Sequence, residues 1–147
     1  MAERTEGSTE IEATPAEVMA VITDFDRYPD WAGVKSATVR ARDEEGRPSE
    51  VAMEVSQMGV EAAYTLAYTY AQDGAGLSWT TLEASGVIKD IAGVYGLEAT
   101  DEGTSVTYRL TLELTIALPG FLRKQAEKQV ISTALGGLKK QVESRLG

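Results

Sequence analysis

The chain of 147 residues contains no cysteine and no histidine. Without cysteine there is no disulfide framework, no thiolate metal site and no cysteine nucleophile. Without histidine the commonest general base and the commonest transition-metal ligand are missing, which excludes Ser-His-Asp catalysis and the usual zinc sites. Any chemistry would rest on carboxylates, Lys, Arg, Tyr or shape. Long apolar runs are also lacking: the polar, acidic start has no stretch of signal length, and no later segment approaches membrane-spanning length. A soluble, cytoplasmic protein is the expectation. Basic residues are few, with 14 Lys and Arg against 23 Asp and Glu, and the resulting net charge of −9 argues against binding nucleic acid.

What basic charge there is lies at one end. Residues 119–147 hold six cations (Arg123, Lys124, Lys128, Lys139, Lys140, Arg145) and two acids (Glu127, Glu143), a local +4 that leaves −13 for the rest. This segment offers either an ordinary solvated helix face or a face for transient contact with an anionic membrane or an acidic carrier protein. The length suits one domain, 1–147.

Near the start, Thr14, Pro15, Ala16 and Glu17 form a helix N-terminus: a cap, a proline whose missing N–H costs nothing, and a glutamate placed to reach back. Val18, Val21 and Ile22 share one face. The helix ends before Pro29, and the run Phe25, Asp26, Arg27, Tyr28, Pro29, Asp30, Trp31 follows, with a short helical turn expected near 26–31. Three aromatics in seven residues need apolar cover. This elbow either plugs a core or rims a cavity, and on the second reading Tyr28 and Trp31 govern entry to it.

From residue 34 onward, alternating segments separated by turn signals predict antiparallel strands. Strands are expected near 4–12, 34–42, 49–58, 61–71, 77–84, 87–100 and 104–117. In the last, Val106, Tyr108, Leu110, Leu112, Leu114 and Ile116 occupy one face. A turn at Glu102 and Gly103 would set Leu97 opposite Tyr108 and Tyr95 opposite Leu110. A turn at Ser85 and Gly86 would pair Trp79 with Gly93, Thr81 with Ile91 and Glu83 with Lys89, the last two being the proposed inner-face charges. A loop near Asp73 would pair Tyr68 with Trp79 and Tyr70 with Leu77. A turn at Gly59 and Val60 would pair Val55 with Tyr64 and Met53 with Leu66. One face thus collects Met53, Val55, Tyr64, Leu66, Tyr68, Tyr70, Trp79, Thr81, Ile91, Tyr95, Tyr108, Leu110 and Leu112, an aromatic set with several hydroxyls.

Pro119 opens a long helix with apolar positions Leu122, Ala126, Val130, Ile131, Ala134, Leu135, Leu138, Val142 and Leu146, which must cross that sheet face. Gly136 and Gly137 inside it imply close backbone approach to an aromatic, a kink beside a cavity, or drift at a packed site; each costs about 1 kcal/mol relative to alanine.

Residues 14–18, the elbow 24–31, the paired runs 93–98 and 106–110, and 118–122 resemble the START-like (SRPBCC) superfamily, in particular its polyketide cyclase/dehydrase and lipid-transport branch. The resemblance implies an α+β helix-grip fold, a curved seven-stranded antiparallel sheet around a long C-terminal helix. It also implies binding or transport of a lipid, polyketide or quinone-like molecule in a cavity between sheet and helix. Tyr28, Trp31, Met53, Tyr64, Leu66, Tyr68, Trp79, Thr81, Tyr95, Tyr108, Leu110, Ile131 and Leu135 would line that cavity; ordinary core packing is the competing reading for each. No cofactor or metal is implied. Aromatase/cyclase members carry an arginine on an inner strand, which this sequence lacks: strands 49–58 and 61–71 have no Arg or Lys, and Arg109 falls on the outer face. A non-catalytic binding protein is therefore the first expectation, and a polyketide cyclase or dehydratase using tyrosines or Glu83 the alternative.

Overall fold

The computed structural model describes residues 5–57, 60–72, 74–117 and 119–146. Gly59, Asp73, Leu118 and the Leu146 side chain, all used in the sequence reading, lie outside what is described. The elements are β1 (Thr5–Ile11), α1 (Pro15–Ile22), a 3-10 turn (Phe25–Asp30), β2 (Ser36–Arg42), β3 (Pro48–Gln57), β4 (Val60–Tyr70), β5 (Gly76–Gly86), β6 (Ile88–Thr100), β7 (Gly103–Leu114) and α2 (Gly120–Leu146). One antiparallel sheet of order β1-β7-β6-β5-β4-β3-β2 forms the body, and α2 packs on β1, β7 and α1. This is the expected helix-grip architecture.

The N-terminus of α1 is built as its residues dictate. The Thr14 side chain accepts from the Glu17 backbone N–H, and the Glu17 carboxylate accepts from the Thr14 N–H at 2.9 Å, a complete capping box. Val18, Val21 and Ile22 are buried beneath it.

Registers keep the expected inner face but differ in detail. The β6–β7 turn is Asp101 and Glu102, since Thr100 pairs with Gly103; Tyr95 therefore faces Tyr108, and Leu97 faces Val106. In β3–β4, Met53 faces Tyr64 and Val51 faces Leu66. Each differs from the predicted pairing by two residues, so side-chain parity, and hence the face, is conserved. The pairings of Trp79 with Gly93, Tyr68 with Trp79 and Tyr70 with Leu77 are as expected.

Glu83 and Lys89 are a correction. Leu66 pairs with Thr81 but Thr65 pairs with Glu83, which leaves Leu82 as the extra residue of a bulge. Beyond it the parity inverts: Ala84 takes the inner position opposite Tyr64, and Glu83 turns to the outer face. A second irregularity between Ile88 and Asp90 displaces Lys89. Both side chains are exposed. Beyond Trp79 the described β5–β6 ladder stops, and Thr81 substitutes its hydroxyl, accepting from the Ile91 N–H at 2.8 Å and donating to the Ile91 carbonyl at 2.7 Å.

The buried stripe of α2 runs through Glu127, Ile131, Ala134, Leu135, Leu138 and Val142. Leu122 and Val130, expected on it, are exposed instead, because the stripe runs one residue away from Val130, through Glu127 and Ile131.

Candidate functional site

Seven rings form a continuous cluster on the inner face. Tyr95 meets Tyr108 edge-on at 4.7 Å between centroids, and Trp79 contacts both at 5.4 Å. Tyr68 lies 5.9 Å from Trp79 and 5.0 Å from Phe25. Phe25 then meets Tyr28 at 4.6 Å, and Tyr28 meets Trp31 at 4.7 Å. The elbow residues Phe25, Tyr28 and Trp31 are all buried. Phe25, absent from the expected site list, joins elbow to sheet; its presence in the aromatic run was the available signal.

Small residues let these rings close up. A Cβ on Gly93 would lie 2.4 Å from Trp79 Cζ2, so the indole fills the space opposite that glycine. A Cβ on Gly137 would lie 2.1 Å from the Trp31 carbonyl oxygen, which identifies backbone approach to an aromatic as the reason for that glycine. Gly136 meets nothing within 4 Å and has no such reason.

The polar atoms of the cluster differ in their partners. Tyr28 donates to the Ile22 carbonyl. The indole nitrogens of Trp31 and Trp79 are buried without hydrogen-bond partners. Burial pushes the Tyr64 hydroxyl up to about 12, and burial with neighbouring phenols raises Tyr28, Tyr68, Tyr95 and Tyr108 well above the usual value. These groups are neutral donors and acceptors at physiological pH, not bases.

The remaining expected site residues are placed around this cluster. Leu66, Leu110, Ile131 and Leu135 are buried in the same core, and Thr81 is half-buried at the β5–β6 junction. Ile131 is seated on β1, where the missing side chain of Gly7 makes room for it. Met53 and Tyr64 also border a polar groove of about 260 Å³ with Arg40, Glu54 and Glu83.

A more apolar cavity of about 480 Å³ lies at the opposite end of the sheet from the start of α2 and contains none of the expected site residues. Met19, Phe25, Val39, Pro48 and Tyr70 form its walls, with Asp24, Asp26, Arg42, Glu45 and Arg47 around them. Arg47 lies over the Tyr70 ring at 4.6 Å and is engaged by Asp43 at 2.9 Å. Tyr70 donates to the Pro48 carbonyl at 2.7 Å. Phe25 is shared between this cavity and the ring cluster.

Glu127 was counted in the sequence only as a charge. It is buried, and its carboxylate accepts from the Thr5 hydroxyl at 2.6 Å and from the Leu112 N–H at 2.9 Å. It thereby fastens α2 to the edge where β1 meets β7. Arg109 is exposed on the outer face and paired with Glu6. Among the described residues no group of three or more acids has the spacing to hold a metal ion, and no helix is long and apolar enough to cross a membrane.

A START superfamily protein from Mycobacterium smegmatis superposes with a TM-score of 0.88 at 19% identity, covering 96% of this chain and 97% of that one. The Zhui aromatase/cyclase from Streptomyces sp. R1128 gives 0.75 at 13% identity over 100% and 97% of the two chains. A STAR-related lipid transfer protein from Xanthomonas axonopodis gives 0.69 at 17% identity over 95% and 85%. No curated protein matches the chain. The family model described as polyketide cyclase/dehydrase and lipid transport matches residues 2–143. Because that match takes in the capped helix, the elbow, all seven strands and most of α2, the chain belongs to the polyketide cyclase/dehydrase and lipid transport family.

Proposed function

We propose that the chain binds a hydrophobic small molecule, a lipid, polyketide or quinone-like compound, against the ring cluster of the inner face and releases it unchanged. The observation that carries this reading is the pair of buried, unpartnered indole N–H groups of Trp31 and Trp79. Buried polar groups are normally satisfied, and those that are not call for an explanation. A carbonyl or hydroxyl on an otherwise apolar ligand would accept from them, with the tyrosine hydroxyls beside it as further handles. Family membership supports the same class of ligand.

The alternative, a cyclase or dehydratase, needs an acid, a base or a polarising cation at the ligand. Glu83 and Arg109 face outward, and Glu127 is already engaged by two donors. These placements favour binding over catalysis.

The test is native mass spectrometry of protein purified from its own host, with solvent extraction, followed by titration of the recovered molecule into wild type and Trp79→Phe. The indole-to-benzene change removes the donor while keeping a ring, and one lost hydrogen bond of about 0.5–1.5 kcal/mol weakens binding roughly two- to tenfold. Recovery of no apolar molecule, or chemical conversion of the one recovered, would refute the reading.

A further inference from the structure

Arg123 is half-buried, and its Nε is fully buried without a hydrogen-bond partner. A guanidinium keeps its charge throughout the pH range of a folded protein, so withdrawing part of it from water unpaired is costly. The acid one turn along the helix, Glu127, is already engaged by the Thr5 hydroxyl and the Leu112 N–H.

The fold fixes where this nitrogen sits. Positions 123, 127 and 131 recur at a spacing of four and so share one helix face, on which Glu127 and Ile131 are buried. Ile131 packs on Gly7, which pairs with Tyr108, while Glu127 holds the Leu112 amide. The helix therefore runs back along β7, and Arg123 lies one turn beyond Leu112, toward Leu114. Trp79, Gly93 and Leu110 share one row across the sheet, and Leu112 is the next position on the same face. Arg123 thus stands on the order of 10 Å from the Trp79 row, where the start of the helix meets the end of the sheet.

A buried guanidinium nitrogen at one end of a ring cluster defines an amphiphilic site. The rings offer apolar contact. The Nε–H and an adjacent Nη–H of a guanidinium form a side-on fork that matches the two oxygens of a carboxylate. The first turn of α2 contains no acid, and the positive pole of the helix dipole favours negative charge there as well.

We propose that Arg123 is the polar anchor of the interior site and that its ligand is an amphiphilic acid, with the apolar body against the ring cluster and the carboxylate on the Arg123 guanidinium. This rests on the binding function proposed above and specifies the class of ligand. The carboxylate is the unreactive end of such a molecule, so the anchor brings no acid or base to the rings.

The experiment compares ω-bromolauric acid with ω-bromolauryl alcohol as quenchers of tryptophan fluorescence at pH 8, where the acid is ionised. The chain has two tryptophans, Trp31 and Trp79, and both belong to the ring cluster, so quenching reports occupancy there. Wild type should bind the acid about ten- to hundredfold more tightly than the alcohol, the worth of a hydrogen bond to a charged group. Arg123→Met should erase that preference and leave the alcohol's affinity unchanged, and Arg123→Lys, which keeps the charge and loses the fork, should fall between. Because Arg123→Met removes a buried donor that has no partner, its thermal unfolding midpoint should not drop. Quenching by both probes with equal affinity in wild type, or a preference for the acid that survives in Arg123→Met, would overturn the anchor while leaving ligand binding at the rings intact. A midpoint several degrees lower in Arg123→Met would also overturn it, by showing that the guanidinium serves the fold. Quenching by neither probe would overturn both the anchor and the ring-cluster site.

Discussion

The carbonyl oxygen of Trp31 occupies the space where a side chain at Gly137 would begin, with 2.1 Å separating it from an ideal Cβ. The neighbouring Gly136 faces open space. The two adjacent glycines should therefore respond oppositely to the same substitution. Gly136→Ala should stabilise by up to about 1 kcal/mol, the helix-propensity difference. Gly137→Ala should destabilise by about 1–3 kcal/mol, because α2 must move off the elbow. Urea unfolding of the two variants checks this, and equal effects would contradict the packing described.

Gly93→Ala should destabilise comparably. Its Cβ would press on the Trp79 indole at 2.4 Å and on the Arg109 carbonyl oxygen at 2.8 Å, and a carbonyl in the ladder cannot give way as a flexible side chain can. The accompanying signature is altered Trp79 fluorescence as the ring is displaced. A variant with wild-type stability and emission would mean that the ring is not held against that glycine.

The six tyrosines of the chain all have hydroxyls raised above their ordinary value of 10, Tyr64 and Tyr70 to about 12, chiefly through burial. A folded-state value above the unfolded one means that the unfolded chain loses protons first. The stability these groups contribute is thus complete below pH 10 and declines as pH rises from about 10 toward 12. Spectrophotometric titration should find almost no tyrosinate in the folded protein at pH 10, then a steep cooperative rise on alkaline unfolding. A tyrosine that ionises near its ordinary value while the fold persists would contradict the burial.

Glu127→Ala should cost about 2–5 kcal/mol, since it leaves both the Thr5 hydroxyl and the Leu112 N–H without their acceptor in a buried position. Glu127→Gln keeps an acceptor and should recover part of that loss. Hydrogen exchange at Leu112 reports the bond directly: its amide should exchange faster in the alanine variant even under conditions where the rest of β7 remains protected.

The legible parts of this protein were those set by local rules. The capping box at Thr14 and the alternation in β7 depend on neighbours in sequence, and the inner face survived errors in two turns because each shifted the pairing by an even number of residues. Glu83 was misplaced for a different reason. The bulge at Leu82 inserts one residue, inverting everything beyond it, and no residue type in that stretch marks it. Glu127 escaped notice because a carboxylate is buried only when distant donors, here on β1 and β7, converge on it. For the candidate site, the aromatic composition was readable, whereas the contact between Phe25 and Tyr68 and the missing indole partners arise from tertiary packing.

The substitution of Thr81 for a backbone ladder has a mechanical consequence. Along β5 and β6 the seam among the described residues consists of four register pairs, from Gly76 with Gly96 to Trp79 with Gly93, the Leu97 N–H donating to the Ala75 carbonyl at 2.8 Å, and the Thr81 hydroxyl. The sheet is thus two ribbons, β1-β7-β6 and β5-β4-β3-β2, stitched along a short seam. Trp79 belongs to one ribbon, Tyr95 and Tyr108 to the other. A guest that wedged between those rings would load the stitching and not the long ladders on either side, so the protein would yield along a crease while both ribbons kept their hydrogen bonds.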